Sequence, residues 1–220
     1  PQDLNMQSVV SSIVDNTVIV KNWEGSVYWP NLGINTIGDI VNGQGYQIKS
    51  DSDTVLSVSG YNVIPSDYPI NLPEGWFLIA YLNQQSEDAP VAMAPIVEDL
   101  TIIKSWNGSV YWPDLGINTL GLMNPGEGYQ VKTNTSTVLS YPSSESGRWS
   151  FDSFDYTSIK YTKPVNTGNN MTIGIPVDSW DVEPEYGDEI VAYDRNGLVV
   201  GHTIYKQENS VITIWGDDLT

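Results

Sequence analysis

The 220-residue chain contains no cysteine and a single histidine, His202. Without cysteine there are no disulfides, no thiol nucleophiles and no thiolate metal sites, so stability must come from packing or from a metal bound through oxygen. One histidine excludes polyhistidine centres. A Ser-His-Asp arrangement would have to use His202, which lies in a predicted strand, and no Gly-x-Ser-x-Gly turn offers it a nucleophile. A two-carboxylate glycosidase needs no histidine, but small modules offer no deep cleft for it. Positive charge is also scarce: 9 Lys+Arg stand against 27 Asp+Glu, a net charge of −18. Such a field repels nucleic acid and anionic membrane surfaces. No apolar run reaches bilayer length, and no signal peptide is recognisable. Phenylalanine is rare at 3 residues, but 8 Trp and 13 Tyr replace it. These bury large areas per residue, which suits a small core.

What the chain does have is an internal repeat. Lys21-Asn22-Trp23-Glu24-Gly25-Ser26-Val27-Tyr28-Trp29-Pro30 returns as Lys104-Ser105-Trp106-Asn107-Gly108-Ser109-Val110-Tyr111-Trp112-Pro113, an offset of 104 − 21 = 83 residues. The offset holds without a gap to Ser57 and Ser140, and 24 of the 40 pairs between 18–57 and 101–140 are identical. A gapless repeat of this length is a duplicated folding unit, expected of a modular binding or spacer protein.

Short β-branched and aromatic runs predict strands at Thr17–Lys21, Tyr46–Lys49, Thr54–Val58, Gly75–Leu82, Tyr129–Lys132 and Thr137–Ser140. Glycine turns separate them, among them Asn42-Gly43-Gln44-Gly45 and Pro125-Gly126-Glu127-Gly128. Apolar spacings of three and four predict one short helix per repeat, at Met6–Val14 and Val91–Val97, with Pro95 interrupting the second. After a Ser-rich linker come strands at Met171–Ile175, Glu189–Tyr193, Leu198–Tyr205 and Val211–Trp215, with an Asn196-Gly197 hairpin turn. The expected architecture is all-β and mainly antiparallel. Two tandem small β-modules, 1–70 and 71–142, precede a β-sandwich-like module at 148–220. At the repeat offset the counterpart of Gly75–Leu82 would precede residue 1, so the first module should lack its opening strand. The last module should likewise be incomplete, in a piece of a longer protein. The open sheet edge would then recruit another strand.

The aromatic motif allows two readings. As a site, Tyr28, Trp29, Tyr111 and Trp112 would form a flat platform for a sugar or a protein partner. As core, the rings hold the modules together, which requires Trp23 and Trp106 to be buried. Strand alternation lets only one ring of each Tyr-Trp pair face solvent. The glycines do not follow a phosphate-loop spacing and read as turn residues. Carboxylates gather in the last module. A solvated acidic face is the default reading for them, and calcium is the cation they would suit, through Asp188 with Asp217 or Asp218.

Gly75-Trp76-Phe77-Leu78-Ile79, Tyr111-Trp112-Pro113, Gly116-Ile117-Asn118-Thr119 and Gly126-Glu127-Gly128-Tyr129 resemble a repeat of large secreted bacterial surface proteins that carry a C-terminal sorting domain for type IX secretion. Gly187-Asp188-Glu189-Ile190 and Ile214-Trp215-Gly216-Asp217-Asp218 resemble their companion β-domain. The resemblance implies an extracellular or cell-surface location, a β-rich fold and no catalytic residues. The expected function is therefore a non-enzymatic stalk, adhesin or binding appendage. Its partners would be other modules of the same chain, surface polysaccharide, or another chain at the open edge. The alternative is a carbohydrate-binding accessory region of a polysaccharide-degrading enzyme.

Overall fold

The computed structural model describes residues 1, 3–61, 63–142, 161 and 164–216. They form an all-β fold, mostly antiparallel, with short helices only. The chain divides into two compact units, residues 1–104 with 120–144, and residues 105–119 with 145–220.

In the first unit the first copy opens with α1 (Met6–Val9), where the Asn5 side chain accepts the Gln7 amide as an N-cap. A 3-10 turn follows at Ser11–Asn16, then β1 (Thr17–Lys21), β2 (Val27–Trp29), β3 (Ile34–Asn35) and β4 (Gln47–Ser50). The helices are shorter than the apolar spacing predicts, because the chain tightens to 3-10 geometry at Ser11. The sheet order is β3-β2-β1-β4. Val20 faces Ile48 and Lys21 faces Gln47, and the ladder then skips Val18 to pair Thr17 with Ser50. This bulge keeps both Thr17 and Val20 inward. They join a core of Met6, Val10, Ile13 and Tyr28, and the Thr17 hydroxyl donates to Ile13 O at 2.9 Å.

The second copy begins earlier, with β5 (Ile70–Leu72), β6 (Gly75–Ala80) and β7 (Glu87–Asp88). It continues through α2 (Ala89–Ala92), β8 (Leu100–Lys104), β9 (Val110–Trp112), β10 (Ile117–Asn118), β11 (Leu122–Met123), β12 (Gly128–Thr133) and β13 (Thr137–Leu139). α2 starts two residues before the predicted helix because Pro90 is accommodated in its first turn, and Pro95 then opens a 3-10 turn. The repeat offset reproduces the register residue by residue. Val131 faces Ile103, Gln130 faces Lys104, and the ladder skips Thr101 as it skips Val18. Trp29 pairs with Ile34, and Trp112 with Ile117. The loop anchors repeat as well. Tyr46 accepts the Val41 amide and donates to Gln44 Oε1, both at 2.9 Å. Tyr129 accepts the Asn124 amide at 2.9 Å and donates to Glu127 Oε2 at 2.5 Å.

The copies differ in one respect. In the second, β6 pairs along the whole of β12, and β5 pairs with β13. The first copy has no counterpart of either, and β4 ends its sheet. The predicted strand at Thr54–Val58 does not form. The identical tetrapeptide Thr-Val-Leu-Ser is strand over Thr137–Leu139 because Ile70–Leu72 lies beside it. A strand needs a partner for its amides, and local sequence cannot supply one.

β6 also joins the two copies. Gly45 N donates to Leu78 O and Ala80 N to Gly43 O, both at 2.9 Å. A Cβ on Gly45 would stand 2.5 Å from Ile79 O. Gly43 is a turn glycine with φ +82°, whereas Gly45 is glycine because another backbone passes over it. The turn-glycine expectation is thereby corrected for Gly45.

In the second unit β14 (Asn170–Ile175), β15 (Glu189–Tyr193), β16 (Val199–Ile204) and β17 (Ser210–Trp215) form one antiparallel sheet in the order β14-β17-β16-β15. The Asp194–Gly197 turn closes β15 on β16, with Asp194 N donating to Leu198 O at 2.9 Å. The hairpin of β9 and β10 belongs to this unit and forms its second layer. Asn209 Nδ2 donates to Leu115 O at 2.6 Å and the Thr213 hydroxyl to Gly108 O at 3.1 Å. Gly174 leaves room for Leu115 and the Trp112 ring, which a Cβ would meet at 2.5 and 3.1 Å.

Candidate functional site

The four platform candidates do not present a common face. Tyr28 is buried in the first core, whereas Trp29, its neighbour on the opposite face of β2, is exposed. Tyr111 and Trp112 are both half-buried, and Trp112 lies over Gly174. The register repeats but the exposure does not.

Trp23 and Trp106 are not core residues, contrary to expectation. Trp23 is 38% exposed and Trp106 71%. Both sit in tight turns after the first strand of their hairpins. Gly25 N donates to Asn22 O at 3.4 Å, and Gly108 N to Ser105 O at 3.2 Å. A turn residue escapes the in-out alternation of the flanking strands, so the ring projects from the sheet end. Trp23 recovers partial cover from Phe77, with ring centroids 4.8 Å apart. The signal in the sequence was the pair Gly25 and Gly108 two residues after each tryptophan, which marks a turn rather than a strand.

Sequence reasoning also missed Trp76. Its exposed ring, on β6, lies near two ammonium groups, Lys104 Nζ at 5.9 Å and Lys132 Nζ at 6.0 Å. A cation over an indole face contributes about 0.5–2 kcal/mol, depending on desolvation. Burial favours the neutral amine of Lys104 and lowers its pKa.

The carboxylates are engaged in turns. Asp188 is exposed, and its Oδ2 accepts the Glu185 amide at 2.8 Å to close the Glu185–Asp188 turn. Asp194 Oδ1 accepts the Leu198 and Asn196 amides at 2.8 Å, and these bonds, that from Leu198 foremost, hold its carboxyl below the ordinary value. Glu189 Oε2 lies 3.5 Å from His202 Nε2. Among the described residues no three Asp, Glu or His side chains converge on a point a metal ion could occupy. Asp217 and Asp218 lie outside the described residues.

No protein-family model matches the chain, and neither the curated proteins nor the solved structures give a match.

Proposed function

We propose that the chain is part of a non-enzymatic, secreted or cell-surface protein built from tandem β-modules and serving as a stalk, adhesin or binding appendage. The observation that carries this reading is the duplication. One folding unit is rebuilt at a constant offset, down to its bulge and its tyrosine anchors, and the copies are stitched by backbone hydrogen bonds through Gly43 and Gly45. Tandem copies extend reach and multiply contacts, whereas a catalytic centre gains little from them. The net charge of −18 suits an exposed, soluble surface. The resemblance to surface proteins of the type IX secretion kind supports the location. Antibody raised to the purified chain tests it on intact cells of the source organism. Labelling without permeabilisation, or signal in the medium, is expected. Labelling only after permeabilisation overturns the reading.

The exposed Trp106 favours a second reading, a carbohydrate-binding accessory region, since a bare indole is the side chain on which sugar rings stack. Retention of the chain on insoluble polysaccharide, lost in Trp106→Ala at an unchanged melting temperature, would establish it. The stalk reading expects no retention by either form.

A further inference from the structure

The second copy shows what the first copy's sheet edge is shaped to receive. β12 is covered along its outer edge by β6, and the segment after it is held by β5. At the same positions of the first copy, β4 has β1 on one side and no strand on the other among the described residues. Residues 6–16 do not take that place, since they fold as α1 and a 3-10 turn. Uncovering is graded by position. Val131 is 0% exposed, and its counterpart Ile48 is 40% exposed. Tyr141 is 2% exposed and donates its hydroxyl to Ala80 O, whereas its counterpart Val58 is 48% exposed. Leu139 is buried and Leu56 only half so.

A second observation concerns chemistry rather than shape. The lysines that flank the Trp76 ring, Lys104 and Lys132, have counterparts at the same register positions of the first copy, Lys21 and Lys49. In a chain with only 9 basic residues, both are present where no Trp76 counterpart exists. We propose that the free edge of β4, together with Thr54–Val58, is an acceptor for a β-hairpin from a further module of this same repeat. The hairpin has the pattern of residues 70–80, and its tryptophan lies over Lys21 and Lys49. The incoming strand would pair with β4 as β6 pairs with β12, cover Ile48, and convert Thr54–Leu56 into a strand, as β5 does for β13. Such strand addition takes its affinity from main-chain hydrogen bonds and its selectivity from alternate side chains. The same edge, left open, is where unintended association would start. The acceptor does not depend on where the protein resides.

The test uses the whole 220-residue chain and a capped synthetic peptide with the sequence of residues 68–81. Amide exchange is followed by mass spectrometry, with the Trp76→Ala peptide and a scrambled peptide as controls. The expected result is saturable protection of residues 47–50 and 54–58. Affinity should fall about tenfold with the Trp76→Ala peptide, as removal of a partly desolvated cation–π contact implies. The Lys49→Glu chain, whose fold is checked by circular dichroism, should lose affinity for the parent peptide and be much less sensitive to the Trp76→Ala change. No protection at 47–58 overturns the proposal, as does equal protection by the scrambled peptide. Protection that instead rises with protein concentration in the absence of peptide also overturns it, and places a second copy of the chain at the edge.

Discussion

Replacing Gly45 by alanine sets the junction between the two copies against its own mirror position. The new methyl would stand 2.5 Å from Ile79 O, 2.9 Å from Ile79 C and 3.2 Å from Ile79 N. All three are backbone atoms of a strand held by β12 on its other edge, so no rotamer relieves the clash. An ordinary carbon–oxygen contact is about 3.3–3.6 Å, so β6 and the Gly43–Gly45 loop must separate by most of an ångström. Overpacking of this kind costs about 1–3 kcal/mol. The two hydrogen bonds across the junction, Gly45 N to Leu78 O and Ala80 N to Gly43 O, add about 0.5–1.5 kcal/mol each when broken. The expected loss is about 2–5 kcal/mol, or a fall in melting temperature of about 5–15 °C for a chain of this size. Gly128, the repeat counterpart, also faces Ile79 O, but at 3.4 Å, an ordinary contact. Gly128→Ala should therefore melt at or slightly above the parent temperature, since alanine restricts the unfolded chain. Thermal melts of the two variants, followed by near-ultraviolet circular dichroism, give the answer. A Gly45→Ala protein as stable as the parent, or a Gly128→Ala protein as damaged as Gly45→Ala, would refute the close approach.

Leu139→Ala, at a fully buried site, should cost about 2–5 kcal/mol, while Leu56→Ala, half-buried without a β5 beside it, should cost about 1 kcal/mol or less; equal losses in urea unfolding would contradict the asymmetry. Burial, the leading cause at each, raises Tyr46, Tyr81, Tyr129 and Tyr141 above their ordinary value of 10.0. A raised folded pKa favours the protonated fold, so stability is whole below about pH 10 and is lost as pH climbs from there toward the folded values. Absorbance at 295 nm should show these rings ionising only as the protein unfolds, and smooth titration of all 13 tyrosines near pH 10 in a folded chain would count against it. Because the Asp188 carboxylate is committed to its own turn, a chelator should leave the melting midpoint unchanged; a clear fall on adding EDTA would assign structural calcium to the chain.

The repeat made much of the fold readable. Once the offset of 83 is known, the strands at Thr17–Lys21 and Leu100–Lys104, the left-handed Gly33 and Gly116, and the helix before each hairpin follow from local chemistry. The strands and the Asn196-Gly197 turn of the last module were equally local. What the sequence hid is non-local. Thr54–Ser57 and Thr137–Ser140 read alike, yet only the second has a partner strand. Gly45 resembles its neighbouring turn glycine, but Ile79 decides its identity. For the site, alternation correctly separated Tyr28 from Trp29, but it has no authority over turn residues, which is why Trp23 and Trp106 were misplaced. Trp76 drew no notice because its lysines come from two strands far along the chain, Lys104 and Lys132.

The central claim is that the chain holds two copies of one unit, of which the first lacks its two outer strands and so keeps an open edge. Native-state amide exchange on the unmodified protein reads this directly, because each residue of the first copy has its own internal control 83 positions later. The account predicts strong protection throughout Gly128–Thr133 and Thr137–Leu139. In the first copy it predicts partial protection of Gln47–Ser50, on the side paired with β1 only, and none at Thr54–Leu56. Matching protection of 47–56 and 130–139 would contradict it.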